Sequence, residues 1–321
     1  MENKIEDILD KEIDKLRRFS NKINPQKIYE LPIEQSRKIA KESILPFTLK
    51  NEKSTSYVEH ELFFGNEEAI KIRVYSADRK DYQTGIVFFH GGGYVLYDVD
   101  VYHSLCEFIS EACNSKVIFV EYRKPPYYEI VNTYQDCKNT LDWVVLNKLF
   151  LGIDNIVLMG DSVGGNLVLK TFQESEKNID LIVLCYPVLS WNFTNLSYQK
   201  YGEGYFLDQK LMEWFKRISF GHLNDDELKK YNFTFFNEEI PNLILISSEF
   251  DVLRDESFIF QMQLQSQNSK SVHLHFENMG HNFLLMAGRF NSAKDALIKI
   301  CNQLNIHINQ LNHERKIKNQ N

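Results

Sequence analysis

Glycine, proline and cysteine are scarce in these 321 residues, at 14, 7 and 5 respectively, which excludes collagen-like, low-complexity and disulfide-scaffold architectures. The five cysteines, Cys106, Cys113, Cys137, Cys185 and Cys301, are odd in number and form no CxxC pair. Neither a disulfide framework nor a zinc site is therefore expected, and the thiols read as buried residues. No excess of positive charge exists either. Lys plus Arg number 37 against 44 Asp plus Glu, a net charge of −7, so bulk electrostatics offers nothing to nucleic acid or anionic lipid. Long apolar runs are missing as well. The longest, Leu181 to Leu189, is about half of what a membrane-spanning helix needs and suits a buried strand. Ile5, Ile8, Leu9, Ile13 and Leu16 recur at helical spacing among charged residues, and the expectation is an amphipathic helix rather than a signal peptide, hence a cytoplasmic protein.

What the chain does have is hydrophobic content of 43%, charged content of 25%, and an unusual aromatic load of 23 Phe, 16 Tyr and 3 Trp. The first two figures are those of a soluble globular protein. Two runs, Val58 to Phe64 and Ala69 to Tyr75, flank Gly65-Asn66-Glu67-Glu68 and predict an antiparallel hairpin. Beyond them, short apolar runs alternate with helix-length segments: Ile86–Phe89, Lys116–Glu121, Asn155–Met159, Leu181–Cys185, Leu243–Ser247 and Val272–Phe276. Such alternation predicts an α/β protein with a mostly parallel sheet covered on both faces. Residues 1 to about 55 and about 190 to 240 stand outside this rhythm and are expected to form a cap over one domain spanning the chain, with a frayed tail from about 309 to 321.

Three motifs carry chemistry. Gly160-Asp161-Ser162-Val163-Gly164 follows one of the apolar runs and precedes a helical segment. A serine on a tight strand-to-helix turn has its hydroxyl exposed above the sheet edge, and small flanking residues let the two elements approach. Read alone, the motif is also compatible with an ordinary glycine-rich turn and a helix-capping serine. His90-Gly91-Gly92-Gly93 narrows that choice, because consecutive glycines leave backbone N–H groups free to bind the oxyanion of an acyl-transfer intermediate. Gly91 and Gly92 are the expected donors, with Val163 N–H completing the hole. His90 is expected to brace the loop. A phosphate-binding loop is disfavoured, since no Lys-Ser or Lys-Thr follows and the spacing is not GxGxxG.

The third motif is distributed. Among His222, His273, His275 and His281, only His281 combines a position after a strand with a preceding glycine, and it is the expected general base. Of the two aspartates after the preceding strand, Asp251 lies closer to its end and is the expected orienting acid, while Glu249 and Asp255 are read as loop or surface charges.

These residues resemble the hormone-sensitive-lipase family of α/β-hydrolase carboxylesterases, which includes bacterial acetyl esterases. The resemblance rests on His90–Gly93, Gly160–Gly165, Asp251–Glu256 and His281–Phe283, and covers residues of about 70 to 290. Softer matches are Glu121-Tyr122-Arg123, Tyr201–Leu207 and Met212–Phe215. The resemblance implies an eight-stranded α/β-hydrolase fold with a helical cap, Ser162, Asp251 and His281 as a catalytic triad, no metal, no cofactor and room for a homodimer. It implies a carboxylesterase acting on small-molecule esters with short acyl groups. An amidase, deacetylase or arylformamidase on the same triad is the alternative enzyme. A ligand receptor is the alternative from another class, as in plant gibberellin receptors, which resemble this family but lack the catalytic histidine.

Departures from the family pattern are Val163 for alanine, expected to narrow the acyl pocket, Val252 for proline and Asn282 for glycine. The loop Tyr122–Pro126 also departs from the family's usual sequence. Asn tolerates unusual backbone angles, so the turn after His281 should survive. The aromatic residues cluster after the oxyanion loop and in the cap, and Tyr94 and Phe206 are the expected substrate-binding residues.

Overall fold

A computed structural model describes residues 27–50, 56–64, 68–77, 83–176, 178–234, 236 and 238–318, together with Lys11 and Asp14. The apolar positions of the expected N-terminal amphipathic helix, Ile5 to Leu16, lie outside the described residues. In chain order come α1 (Ile33–Ile44), β1 (Ser56–Leu62), β2 (Ile70–Ser76), β3 (Thr84–Phe89), α2 (Val99–Cys113), β4 (Lys116–Glu121), α3 (Ile130–Leu146) and β5 (Asn155–Asp161). There follow α4 (Val163–Glu174), β6 (Leu181–Cys185), α5 (Gln209–Phe220), β7 (Asn242–Phe250), α6 (Arg254–Ser266), β8 (Ser271–Gly280) and α7 (Asn291–Lys318).

The eight strands form one sheet in the order β1-β2-β4-β3-β5-β6-β7-β8. The predicted hairpin pairs β1 with β2 antiparallel, β2 pairs β4 antiparallel, and every later pairing is parallel. Every residue of β3, β5 and β6 is buried, as helices on both faces require, whereas β1 at the sheet edge is largely exposed. The apolar runs underestimated the C-terminal ends of β5, β7 and β8, where Asp161, Glu249 and Glu277 continue the strands. Those polar ends face the loops that build the site.

Helix α2 begins at Asp98, whose carboxylate accepts from the Asp100 and Val101 amides, and ends at Asn114 in the left-handed region (φ 44°). Helix α5, inside the segment expected to cap the sheet, starts at Asp208, which accepts from Leu211 N at 2.7 Å, and buries Met212, Trp214 and Phe215. Helix α1 is fastened to the loops after β3 and β4 by Arg37, whose Nε and Nη2 donate to Val95 O and Pro125 O, both at 2.9 Å.

Of the tail expected to fray from about residue 309 to 321, residues 309–318 are helical. Helix α7 continues to Lys318, because Leu311 packs on the core and Asn155 Nδ2 donates to Asn312 Oδ1 at 2.7 Å. The five cysteines are buried and free. Among the described residues, no helix is long and apolar enough to cross a membrane.

Candidate active site

The turn from β5 to α4 holds Ser162 at φ 55° and ψ −122°, a conformation costly for a residue with a β-carbon. The surroundings over-determine it. Ser162 N donates to Cys185 O at 2.9 Å, Val188 N donates to Ser162 O at 3.0 Å, and a β-carbon on Gly164 would lie 2.0 Å from Phe89 O. Only glycine at 164 lets the helix start this close to the end of β3.

His281 follows β8, and Asn282 takes the left-handed conformation (φ 63°) that turns the chain after it, as the asparagine was expected to allow. The ring places Nε2 3.1 Å from Ser162 Oγ and Nδ1 2.7 Å from Asp251 Oδ2. Asp251 also accepts from Ser248 Oγ at 3.1 Å and from Leu253 N at 3.0 Å, so its carboxylate is held from two further directions. Tyr186 meets the imidazole edge-on, with ring centroids 4.8 Å apart. Ser162, Asp251 and His281 are thus brought together, all buried.

The rejected candidates are engaged elsewhere. His273 and His275 both face Ser247 Oγ, at 2.7 and 2.8 Å, and His222 is exposed. Glu249 pairs with Arg254 and bonds Tyr201, and Asp255 accepts from Ser197 N at 2.8 Å.

The loop after β3 corrects one expectation. Gly91 N already donates to Asp161 Oδ1 at 2.8 Å, with Tyr102 Oη at 3.1 Å, so this amide is not available to an oxyanion. The backbone turns after it: Gly92 (φ 103°) and Gly93 (φ 64°) line the cavity with Ser162. The amides of Gly92, Gly93 and Val163 have no acceptor among the described residues. His90 is a brace, buried and stacked on Tyr122 at 4.3 Å with 9° between the rings. Burial and the nearby Lys124 hold its pKa well below the ordinary histidine value. Tyr122 Oη donates to His90 O at 2.7 Å, which ties the loop to the end of β4.

Above Ser162 and His281 opens a cavity of about 250 Å³ whose aromatic wall is Tyr29, Phe47, Tyr97, Tyr205, Phe206 and Phe215. Phe206, one of the two expected substrate-binding residues, lines this cavity. Tyr94 is not part of this wall. Its backbone is left-handed (φ 64°), its side chain is fully buried, and its hydroxyl meets that of Tyr134 at 2.8 Å, which in turn donates to Asn166 Oδ1 at 2.7 Å. Tyr94 packs with Trp191 and with Phe220 of α5. Val163 is likewise turned inward, only 1% exposed and not among the lining residues, so it does not narrow the pocket.

Tyr29 and Phe47 were missed as site residues because they flank α1 far from the motifs in sequence and reach the cavity only through the tertiary fold. Asp161 was missed as well. Its signal was present in the sequence as an acid buried between an apolar strand and the serine.

Residues 86–285 match the family described as alpha/beta hydrolase fold. An arylesterase from Saccharolobus solfataricus is 29% identical over 228 residues, 67% of this chain and 73% of that protein. An ethyl acetate hydrolase from Pseudomonas putida is 27% identical over 234 residues, 70% and 73% of the two chains. A thermostable esterase from Pseudomonas putida of known structure superposes with a TM-score of 0.86 at 20% identity, covering 93% and 97% of the two chains, a likeness of fold. The chain belongs to the alpha/beta hydrolase fold family, in the hormone-sensitive-lipase-like group that its motifs resemble.

Proposed function

We propose that this protein is a serine carboxylesterase acting on small esters with short acyl groups, through Ser162, His281 and Asp251. One observation carries the reading: His281 contacts Ser162 Oγ through Nε2 at 3.1 Å and Asp251 through Nδ1 at 2.7 Å, directly below a cavity walled by aromatic rings. A carboxylate on Nδ1 favours the tautomer with its proton there, which leaves Nε2 free to accept the serine proton.

In this mechanism Ser162 Oγ attacks the ester carbonyl while His281 takes its proton. The oxyanion of the tetrahedral intermediate is met by the amides of Gly92, Gly93 and Val163 in place of the Gly91 amide. His281 protonates the departing alkoxide, and a water activated by the same ring releases the acid. Asp251 holds the ring and stabilises the imidazolium. Similarity to proteins named arylesterase and ethyl acetate hydrolase supports ester hydrolysis and small substrates. The cavity of about 250 Å³ supports a short acyl group, being at or below the ~300–1,000 Å³ usual for ligand pockets. His281 argues against a receptor that binds without turnover. The buried, unpaired thiols suit a reducing compartment, in keeping with a cytoplasmic setting.

A series of p-nitrophenyl esters from acetate to palmitate tests the reading. Rates peaking at acetate to butyrate are expected. A peak at long chains would refute the short-acyl assignment, and faster turnover of the matching anilides would move the activity to amide hydrolysis.

A further inference from the structure

Asp161 ends β5, the strand that carries the nucleophile, and its carboxylate bonds the loop after β3. It is fully buried, its Oδ1 accepts from Gly91 N at 2.8 Å, and its Oδ2 accepts from Tyr102 Oη at 2.8 Å. The fit is close enough that a β-carbon on Gly91 would lie 2.6 Å from Oδ2. We infer that Asp161 is a positioning residue for the oxyanion hole: acting through Gly91, its carboxylate fixes the loop in the orientation that presents the Gly92 and Gly93 amides beside Ser162. The inference rests on the serine-hydrolase reading above.

Once the Gly91 amide is committed to Asp161, the next peptide units must turn, and the positive φ angles of Gly92 and Gly93 carry that turn toward the cavity. Asp161 precedes Ser162 in the chain, so the same residue that anchors the loop is bonded covalently to the nucleophile. Donor and nucleophile therefore share one reference point. Burial raises the carboxyl, the Tyr102 hydroxyl, the Gly91 amide and His281 pull it back toward the charged form, and the balance leaves it at about 6. A carboxylate with two donors is thus present at neutral pH, and donors to a charged acceptor make short, strong bonds. Tyr102 is itself fixed at the start of α2, which connects the clamp to a rigid element.

The test compares Asp161→Asn, Asp161→Ala and Tyr102→Phe with the wild type in two measurements: kcat and KM for p-nitrophenyl acetate, and amide exchange over residues 89–94 by mass spectrometry. Asn keeps the shape and one acceptor but loses the charge and sets an NH₂ group against the tyrosine hydroxyl. The expected result is faster exchange in that segment and a fall in kcat of ~10- to 100-fold with KM within twofold, since displacing oxyanion donors by about 1 Å costs rate rather than ground-state binding. Tyr102→Phe, which removes one donor and leaves the carboxylate, should move both readouts the same way by less. Unchanged exchange overturns the inference, as does faster exchange with kcat unchanged in an active enzyme, or a loss carried by KM. Faster exchange in a protein whose wild type does not turn over esters would contradict the hydrolase reading and leave the Asp161 brace standing.

Discussion

His281 and Asp251 are joined by a contact of 2.7 Å between Nδ1 and Oδ2, and neither residue is more than 2% exposed. Water therefore does not compete for this bond, and the ring has one orientation available, the one that aims Nε2 at Ser162. Replacing Asp251 by Asn keeps the volume but sets an NH₂ group or a carbonyl against Nδ1, which destabilises the working tautomer and the imidazolium. Steady-state kinetics on p-nitrophenyl acetate should show kcat reduced by ~10⁴ with the fold retained by circular dichroism. A loss under tenfold would show that Asp251 does not orient the base.

Tyr94 and Phe206 should separate structure from specificity. Tyr94→Phe removes a buried hydroxyl from the chain Tyr94–Tyr134–Asn166 and should cost about 1 kcal/mol of stability in urea titration while leaving the acyl-chain profile unchanged. Phe206→Ala opens the cavity wall. It should shift the rate ratio of hexanoate to acetate esters upward by ~10-fold, the scale on which apolar pockets discriminate methylene groups.

Glu256 supplies a pH signature. It is fully buried, its Oε2 accepts from the amides of Leu189 and Ser190, and burial raises its pKa to about 8. The unfolded chain releases this proton near the ordinary glutamate value of 4.5, so the folded state binds the proton more tightly. The stabilisation is complete below the unfolded value and is lost as pH rises from about 4.5 through about 8. Glu256→Gln should retain the two amide bonds through its carbonyl and flatten the decline of Tm between pH 5 and pH 8. A variant with the wild-type slope would show that Glu256 does not carry this proton.

The sheet was legible because buried parallel strands must be short apolar runs, and β4 and β6 begin and end where those runs do. The three motifs were legible because each occupies a strand end, where the chain has to turn and expose polar groups. What could not be read is direction. Which glycine amide faces the cavity depends on an acceptor 70 residues away in sequence, Asp161, and which tyrosine lines the pocket depends on the sign of φ at residues 92 to 94. Tyr94 and Gly91 were misplaced for that reason. The tail from residue 309 looked polar because Leu311 packs on the core while Asn312 and Arg315 make their contacts through polar groups, too sparse an apolar pattern to announce a helix.

The most direct test of the account is hydrolysis of p-nitrophenyl acetate by the wild type and by Ser162→Ala at matched concentration. The account predicts that the variant loses a factor of ~10⁶ in kcat, down to the residue of catalysis that binding and the oxyanion donors supply. Equal rates in the two proteins would contradict it.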